Sequence, residues 1–293
     1  MTAQSAFGAI ARACTGHVLS CAGYARGNED PEAIHELRVA IRRLRAAFSV
    51  FREVTGEKPA AIARKLRALQ LKLGAAREWD VLIQESIGTM PKRLRAQKSF
   101  IELIKSAEAK QTKEHKRARD ALDDPRCTDL LLELTSWLDR RFGRTNDQSA
   151  PPEKAPCQTI ADFAAQLLKA RHRKVRKLGK KIGKLDTAQL HELRIRIKKL
   201  RYAVEFFRDL WRGARVKKYL STLKHLQNSL GTAHDAMVSS RLIMDLAASQ
   251  KHKDKFMESR LADWAAACFE SELKNTDHLL QKLLRFKPLA RRQ

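Results

Sequence analysis

His35, Arg38, Arg42 and Arg45 stand at i, i+3, i+7 and i+10 within HELRVAIRRLRAAFSVF, residues 35–51. On a helix that spacing puts all four on one stripe, about three turns long. His191, Arg194, Lys198 and Arg201 repeat it in HELRIRIKKLRYAVEFF, residues 191–207, at an offset of 156 positions. The chemistry open to such a row is multidentate anion binding. Each guanidinium or ammonium donates charge-assisted hydrogen bonds to an oxyanion, and successive turns engage successive oxyanions. Ordinary solvated helices mix acids with bases at i, i+4, because like charges at that spacing repel. Glu36 and Glu192 lie off the rows, so a polyanion is the natural offset. A solvated basic face is the plainer reading, and finding the stripe twice weakens it, since solvated positions drift freely after a duplication. Arg43 and Lys199 sit off the stripe.

The two histidines open their rows near the positive end of the helix dipole. That position suits anion binding and depresses protonation when no anion is present. Phosphate ligand, structural hydrogen bonder, phosphoryl acceptor and metal ligand are the roles open to them. No HxxxH or HxxE pair with carboxylate company is read beside either one, so no metal is assigned. A second stretch adds candidates. ARKLRALQLKLGAAREWDV, 63–81, answers YLSTLKHLQNSLGTAHDAMV, 219–238. Superposing Leu73-Gly74 on Leu230-Gly231 aligns Arg67 with Lys224, Arg77 with His234 and Glu78 with Asp235. Arg67 and Lys224 join the candidate anion ligands. The acids either orient the basic side chains or form ordinary ion pairs and caps. The LG pairs mark matched turns or close backbone approaches.

The elements that must position these groups are helices. Leu37, Ile41, Leu44, Phe48 and Phe51 form an apolar stripe beside the first basic row, and Leu193, Ile197, Leu200, Val204 and Phe207 do so beside the second. Asp30-Pro31 reads as an N-cap with proline at the first helical position. Asp186 stands equally far before His191, with Gln189 completing a capping-box pattern. Long Ala/Leu/Lys/Glu stretches fill 92–122, 128–142, 158–183 and 241–286, and no sustained period-two pattern interrupts them. The expected fold is all-α: two pseudo-symmetric bundles of about four helices each, made by an internal duplication. GRTNDQSAPPEKAPC, with Pro151, Pro152 and Pro156, reads as the seam. The expected division is 1–142, a linker at 143–157, and 158–293.

Composition agrees. The chain has 293 residues, 59 Lys and Arg against 33 Asp and Glu, and a net charge of +26, so its surface potential concentrates anions. Low glycine and proline favour helix over sheet. No apolar run is long enough to span a membrane, and MTAQSAFGAIARAC lacks the basic start of a signal peptide. Cys14, Cys21, Cys127, Cys157 and Cys268 are odd in number and scattered, as in a reducing compartment. The expected location is the cytoplasm.

HELRVAIRRLR and HELRIRIKKLRY, each followed by an LG element (LGAAREWDV, LGTAHDAMV), resemble the CHAD domain, the conserved histidine α-helical domain. The resemblance covers about residues 5 to 288. It implies two bundles related by pseudo-twofold symmetry, with basic helices facing a central channel, and a binding module for inorganic polyphosphate. The implied ligands are His35, Arg38, Arg42, Arg43, Arg45, His191, Arg194, Lys198, Lys199 and Arg201. Lys198 and Lys199 keep the charge of arginine and lose its fork, and Glu78 stands where the family more usually has aspartate.

The expected activity is therefore binding, with no cofactor. No P-loop, phosphate-cradling glycine loop or Ser/His/Asp set is read in the chain. Phosphotransfer on a bundle histidine is the alternative from signalling. Nucleic-acid binding is permitted by charge but secondary, because aromatics for stacking are few. Oligomeric state is left open, as is association with polyphosphate granules. Glu270-Ser271-Glu272-Leu273-Lys274 matches the ExExK string of triphosphatase domains, but its apolar surroundings read as helix, which splays the three side chains.

Overall fold

The computed structural model describes residues 1–28, 30–55, 58–142, 159–211, 213–249 and 255–286. The chain is all-helical. The first half holds α1 (Ala3–Gly27), α2 (Pro31–Val50), the single turn α3 (Arg52–Thr55), α4 (Lys58–Lys72) and α5 (Gly74–Asp80). A π-helical stretch (Val81–Ser86), α6 (Ile87–Thr89), α7 (Lys92–Arg95), α8 (Lys98–Asp123) and α9 (Pro125–Phe142) complete it. After the seam come α10 (Ile160–Gly179), α11 (Thr187–Phe206), α12 (Ala214–Ser249) and α13 (Lys255–Leu284), with short 3-10 turns on either side of α11. Among the described residues the β-type pairing is one isolated bridge, Thr2 to Thr159. The seam itself, with its three prolines and Cys157, lies outside the described residues.

The two motif helices start as their caps dictate. The Asp30 carboxylate accepts from the Glu32 amide at 2.9 Å, with Pro31 at the first helical position. Asp186 accepts from the Gln189 amide at 2.8 Å, and the Gln189 side chain accepts from the Asp186 amide in return. Each satisfied cap stabilises its helix by about 1 kcal/mol. Both apolar stripes are buried along their whole length. Phe51 and Phe207, equivalent ends of the two motifs, meet edge to face with centroids 5.6 Å apart, and Phe163 stacks on Phe51 at 5.3 Å. One apolar core thus runs through residues of α1, α2, α4, α9, α10, α11, α12 and α13. A smaller cluster joins Trp79, Leu82 and Phe100 to Ile243, Leu246 and Trp264.

The LG pairs are not matched turns. Leu73 is a single turn residue between α4 and α5, with φ −76° and ψ −6°, whereas Leu230 and Gly231 lie inside α12. Buried residues at i, i+4 and i+7 (Leu69, Leu73, Ala76 and Leu226, Leu230, Ala233) carry the apolar face through each glycine. Close approach holds in one copy only. A Cβ on Gly74 would lie 3.2 Å from Arg38 Nη1, whereas one on Gly231 meets nothing within 4 Å. The ExExK string lies within α13, as helix.

Candidate functional site

α2 packs against α11, and Arg42 of the first row acts on Arg194 and Lys198 of the second. Arg42 Nε donates to the buried Tyr202 hydroxyl at 2.9 Å, tying the first row to the second helix. Further along, the same pairing recurs in both copies. Arg45 Nη1 donates to Gln70 Oε1 at 2.6 Å, and Arg201 Nε donates to Gln227 Oε1 at 2.8 Å. Arg38 Nη1 also donates to the Gln70 carbonyl at 2.7 Å, which fixes its guanidinium against Gly74.

Like charges crowd this place. Burial pushes Arg38 down to about 10, and Arg42 adds to the push. Burial likewise lowers Arg194, with Asp235 opposing and Arg42 reinforcing the shift. Lys198 falls to about 7, first through desolvation, then through repulsion from Arg194 and Arg42. Arg45 is lowered by burial and by Arg67. His35 is lowered by burial, Arg77 and Arg42, against Glu32 and Glu36. His234 on α12 is pushed to about 4 by desolvation and by Arg194, His191 and Lys198. Arg42 is therefore the hub: its charge acts on both rows. Buried Nε atoms of Arg45 and Arg194 and Nδ1 of His35 have no hydrogen-bond partner among the described residues.

Acids are present but few. Glu78 and Asp235, equivalent in the repeat, support the charge of Arg38 and Arg194 respectively. Burial and the nearby Glu85 raise Asp235 itself, while Arg194 opposes the shift. Arg77 donates to Glu85. Behind Arg38 lies the fully buried Asp80, held by Gln111 Nε2 at 2.8 Å and His115 Nε2 at 2.7 Å.

The remaining candidates are placed unequally. Arg43 points away from the hub, 3.5 Å from Glu205 and over the Phe206 ring at 5.3 Å. Glu205 also takes Arg201, so one acid meets both Arg43, off the first row, and the last residue of the second row. His191 is exposed, its ring 6.1 Å from that of His234. Arg67, Lys199 and Lys224 are exposed, and the Lys199 carbonyl accepts from Arg171 at 2.6 Å. The carboxylates at His35 need a correction: Glu32 and Glu36 do stand with it, their ligand-capable atoms within 4.8 Å of one another. An i, i+3, i+4 spacing on α2 brings the three together. Tyr202, Gln70, Gln227 and Glu205 escaped the sequence reading. The two glutamines carried a signal, since each precedes its LG leucine by three positions. His234 and Arg77 were aligned, yet only the structure makes them part of the cluster.

The family model described as the CHAD domain matches residues 9–244. A crystal structure of the CHAD domain from the plant Ricinus communis superposes with a TM-score of 0.82 at 28% identity, covering 99% of this chain and 95% of that one. PptA from Streptomyces chartreusis superposes at 0.70 with 13% identity over 98% of this chain and 100% of its own, a likeness of fold alone. An uncharacterised protein of Mycobacterium tuberculosis is 24% identical over 265 residues, 86% of this chain and 49% of the relative. The chain spans about half the length of that relative.

Proposed function

The chain belongs to the CHAD domain family, and from that premise we propose that it is a non-catalytic binding module for inorganic polyphosphate. The site is the tract where α2 and α11 bring Arg38, Arg42, Arg45, Arg194, Lys198 and Arg201 together. The observation that carries this reading is the crowding of like charge about Arg42. Desolvated cations that repel one another raise the energy of the folded protein, and a chain of oxyanions offsets that cost at every contact. Polyphosphate is such a chain, with one charged unit after another and no bases to be read. His35, His191 and His234 stand at one end of the tract as donors once protonated. We read the site as the product of a duplication, 1–142 and 158–293 about a linker at 143–157. The repeated Arg–Gln pairs, the matched aspartate caps and the Phe51–Phe207 contact support that reading. Association with polyphosphate granules would follow from affinity for long chains.

The test is a titration with polyphosphates of defined length, with pyrophosphate and single-stranded DNA as controls. Affinity should rise with length until the tract is filled, and log–log salt slopes should reach several units, at about 0.7–0.9 per neutralised phosphate for nucleic acids. Replacing Arg38, Arg42, Arg194 and Arg201 by alanine removes only four of the +26 charges. Each lost charge-assisted hydrogen bond is worth about 1.5–3 kcal/mol, so affinity should fall by at least about a hundredfold. Alanine at the exposed Lys105, Lys110, Lys113 and Lys116 of α8 is the charge-matched control. Equal losses in the two variants, or equal binding of pyrophosphate and long chains, would refute the site.

A further inference from the structure

A second basic surface lies on α10, outside the tract. From Lys169 to Lys184 the chain carries nine lysines and arginines and no acid. One of them, Arg171, is spent internally: it donates to the carbonyls of Lys199 and Ser49, and burial lowers it to about 10. His172 is buried against the Tyr219 hydroxyl at 2.7 Å. The others are exposed, and none of them pairs with an acid among the described residues. Lys169, Arg173, Arg176 and Lys180 fall at i, i+4, i+7 and i+11, a row about 16 Å long, with Lys177 beside it.

This is not how the protein builds an ordinary solvated helix. α8 is also long, exposed and lysine-rich, and it interleaves Glu102, Glu108, Glu114 and Asp120 among its cations, Arg117 pairing with Glu114. α10 omits the acids and keeps the repulsion. The helix dipole favours Arg176 and Lys177 in its last turn, but its reach ends there, and Lys169 and Arg173 lie earlier. The same end of the molecule adds more positive charge. Tyr219 and Leu280 pack against α10, and beside them Lys218, Lys282 and Arg285 line, with His278, a cavity of about 520 Å³ that has no acid in its wall.

We propose that this face of α10 is a second polyanion-binding surface, which holds a separate segment of the same long polyphosphate that fills the α2–α11 tract. The proposal rests on the polyphosphate reading above. The two surfaces differ in kind. The tract is part-buried and arginine-rich, with guanidinium groups held by Gln70 and Gln227, whereas α10 offers solvent-exposed charges, lysine at three of the five positions, that suit a passing chain. α10 packs directly on α11, anchored by Arg196 Nη1 on the Lys174 carbonyl at 3.1 Å. The two rows thus stand on adjacent helices, whose packed axes lie about 8–10 Å apart. A chain long enough to reach both binds the second intramolecularly, at high effective concentration.

The experiment compares short chains, no longer than one row, with chains several times that length. Glutamine at Lys169, Arg173, Arg176, Lys177 and Lys180 removes five exposed charges without a helix penalty. Glutamine at Lys98, Lys105, Lys110, Lys113 and Lys116 removes five from α8. The α10 variant should keep short-chain affinity within about twofold and lose long-chain affinity by about tenfold or more, as loss of avidity requires. The α8 variant should lose neither by as much. In the variant lacking Arg38, Arg42, Arg194 and Arg201, residual long-chain binding should persist and vanish when the α10 set is added. Equal behaviour of the α10 and α8 variants would overturn the second surface while leaving the tract intact. Failure of the unmodified protein to bind short chains would instead strike the first reading.

Discussion

Lys198 shows what one residue's setting can do. Its ammonium is half-buried, and desolvation with repulsion from Arg194 and Arg201 of its own helix and Arg42 of α2 lowers it to about 7, against the opposing charge of Asp235 of α12. Polyanion binding reverses the repulsion, so the bound protein holds that proton to higher pH than the free one. Between the two values binding takes up a proton, and affinity falls as pH rises. Below about 7 the amine is charged in both states and the dependence disappears. The slope cannot exceed tenfold per pH unit for one proton. Affinity measured at fixed salt from pH 6 to 9 should therefore be flat at first and then decline, and Lys198→Met should remove most of the decline. A Lys198→Met variant that keeps the full slope would assign the titration elsewhere. Sequence spacing placed Lys198 on the row. It gave no hint of the depressed pKa, because burial sets it and the charge of Arg42 reaches it from another helix.

At the level of elements, the local signals were the legible ones. Caps, apolar stripes and basic rows depend on residues within one helix, and periodicity reports them directly. What the spacing does not carry is the neighbour across a helix–helix contact. Arg43 therefore turned out to face Glu205, and Arg42 to face Tyr202. The LG pairs teach the same lesson: they are identical in sequence, yet one stands at the break between α4 and α5 and the other inside α12, and only Gly74 has a side chain lying on it. Gly231→Ala adds a methyl in open space inside α12, so it should stabilise the fold by about 0.5–1 kcal/mol and leave binding unchanged. Gly74→Ala sets a methyl 3.2 Å from a guanidinium already fixed on the Gln70 carbonyl. Arg38 must give way by a few tenths of an ångström, and polyphosphate affinity should fall severalfold. Thermal melts and titrations of the two variants check this. Equal effects on binding would mean that Arg38 does not depend on Gly74 for its position.

For the whole molecule, charge and core pull in opposite directions. The +26 charge favours expansion by self-repulsion, while a core shared by helices from both sides of the seam holds the protein closed. The excess charge was plain in the composition. Its concentration about Arg42 was not, since that depends on how α2 meets α11. Screening and ligand should then act differently on stability. Salt weakens the repulsion within the free protein, so raising salt should raise its melting temperature. Polyphosphate stabilises by occupying the native tract, by about 2.7 kcal/mol at a hundred times Kd. For a chain of this size that is a rise of about 4 °C. Salt also weakens the ligand, steeply. At fixed polyphosphate concentration the ligand-induced rise should therefore shrink as salt increases, even while the ligand-free protein grows more stable. Melting curves over a salt series, with and without long-chain polyphosphate, measure both trends at once. A ligand-induced rise that does not change with salt would mean that the stabilisation does not come from phosphate contacts in the tract.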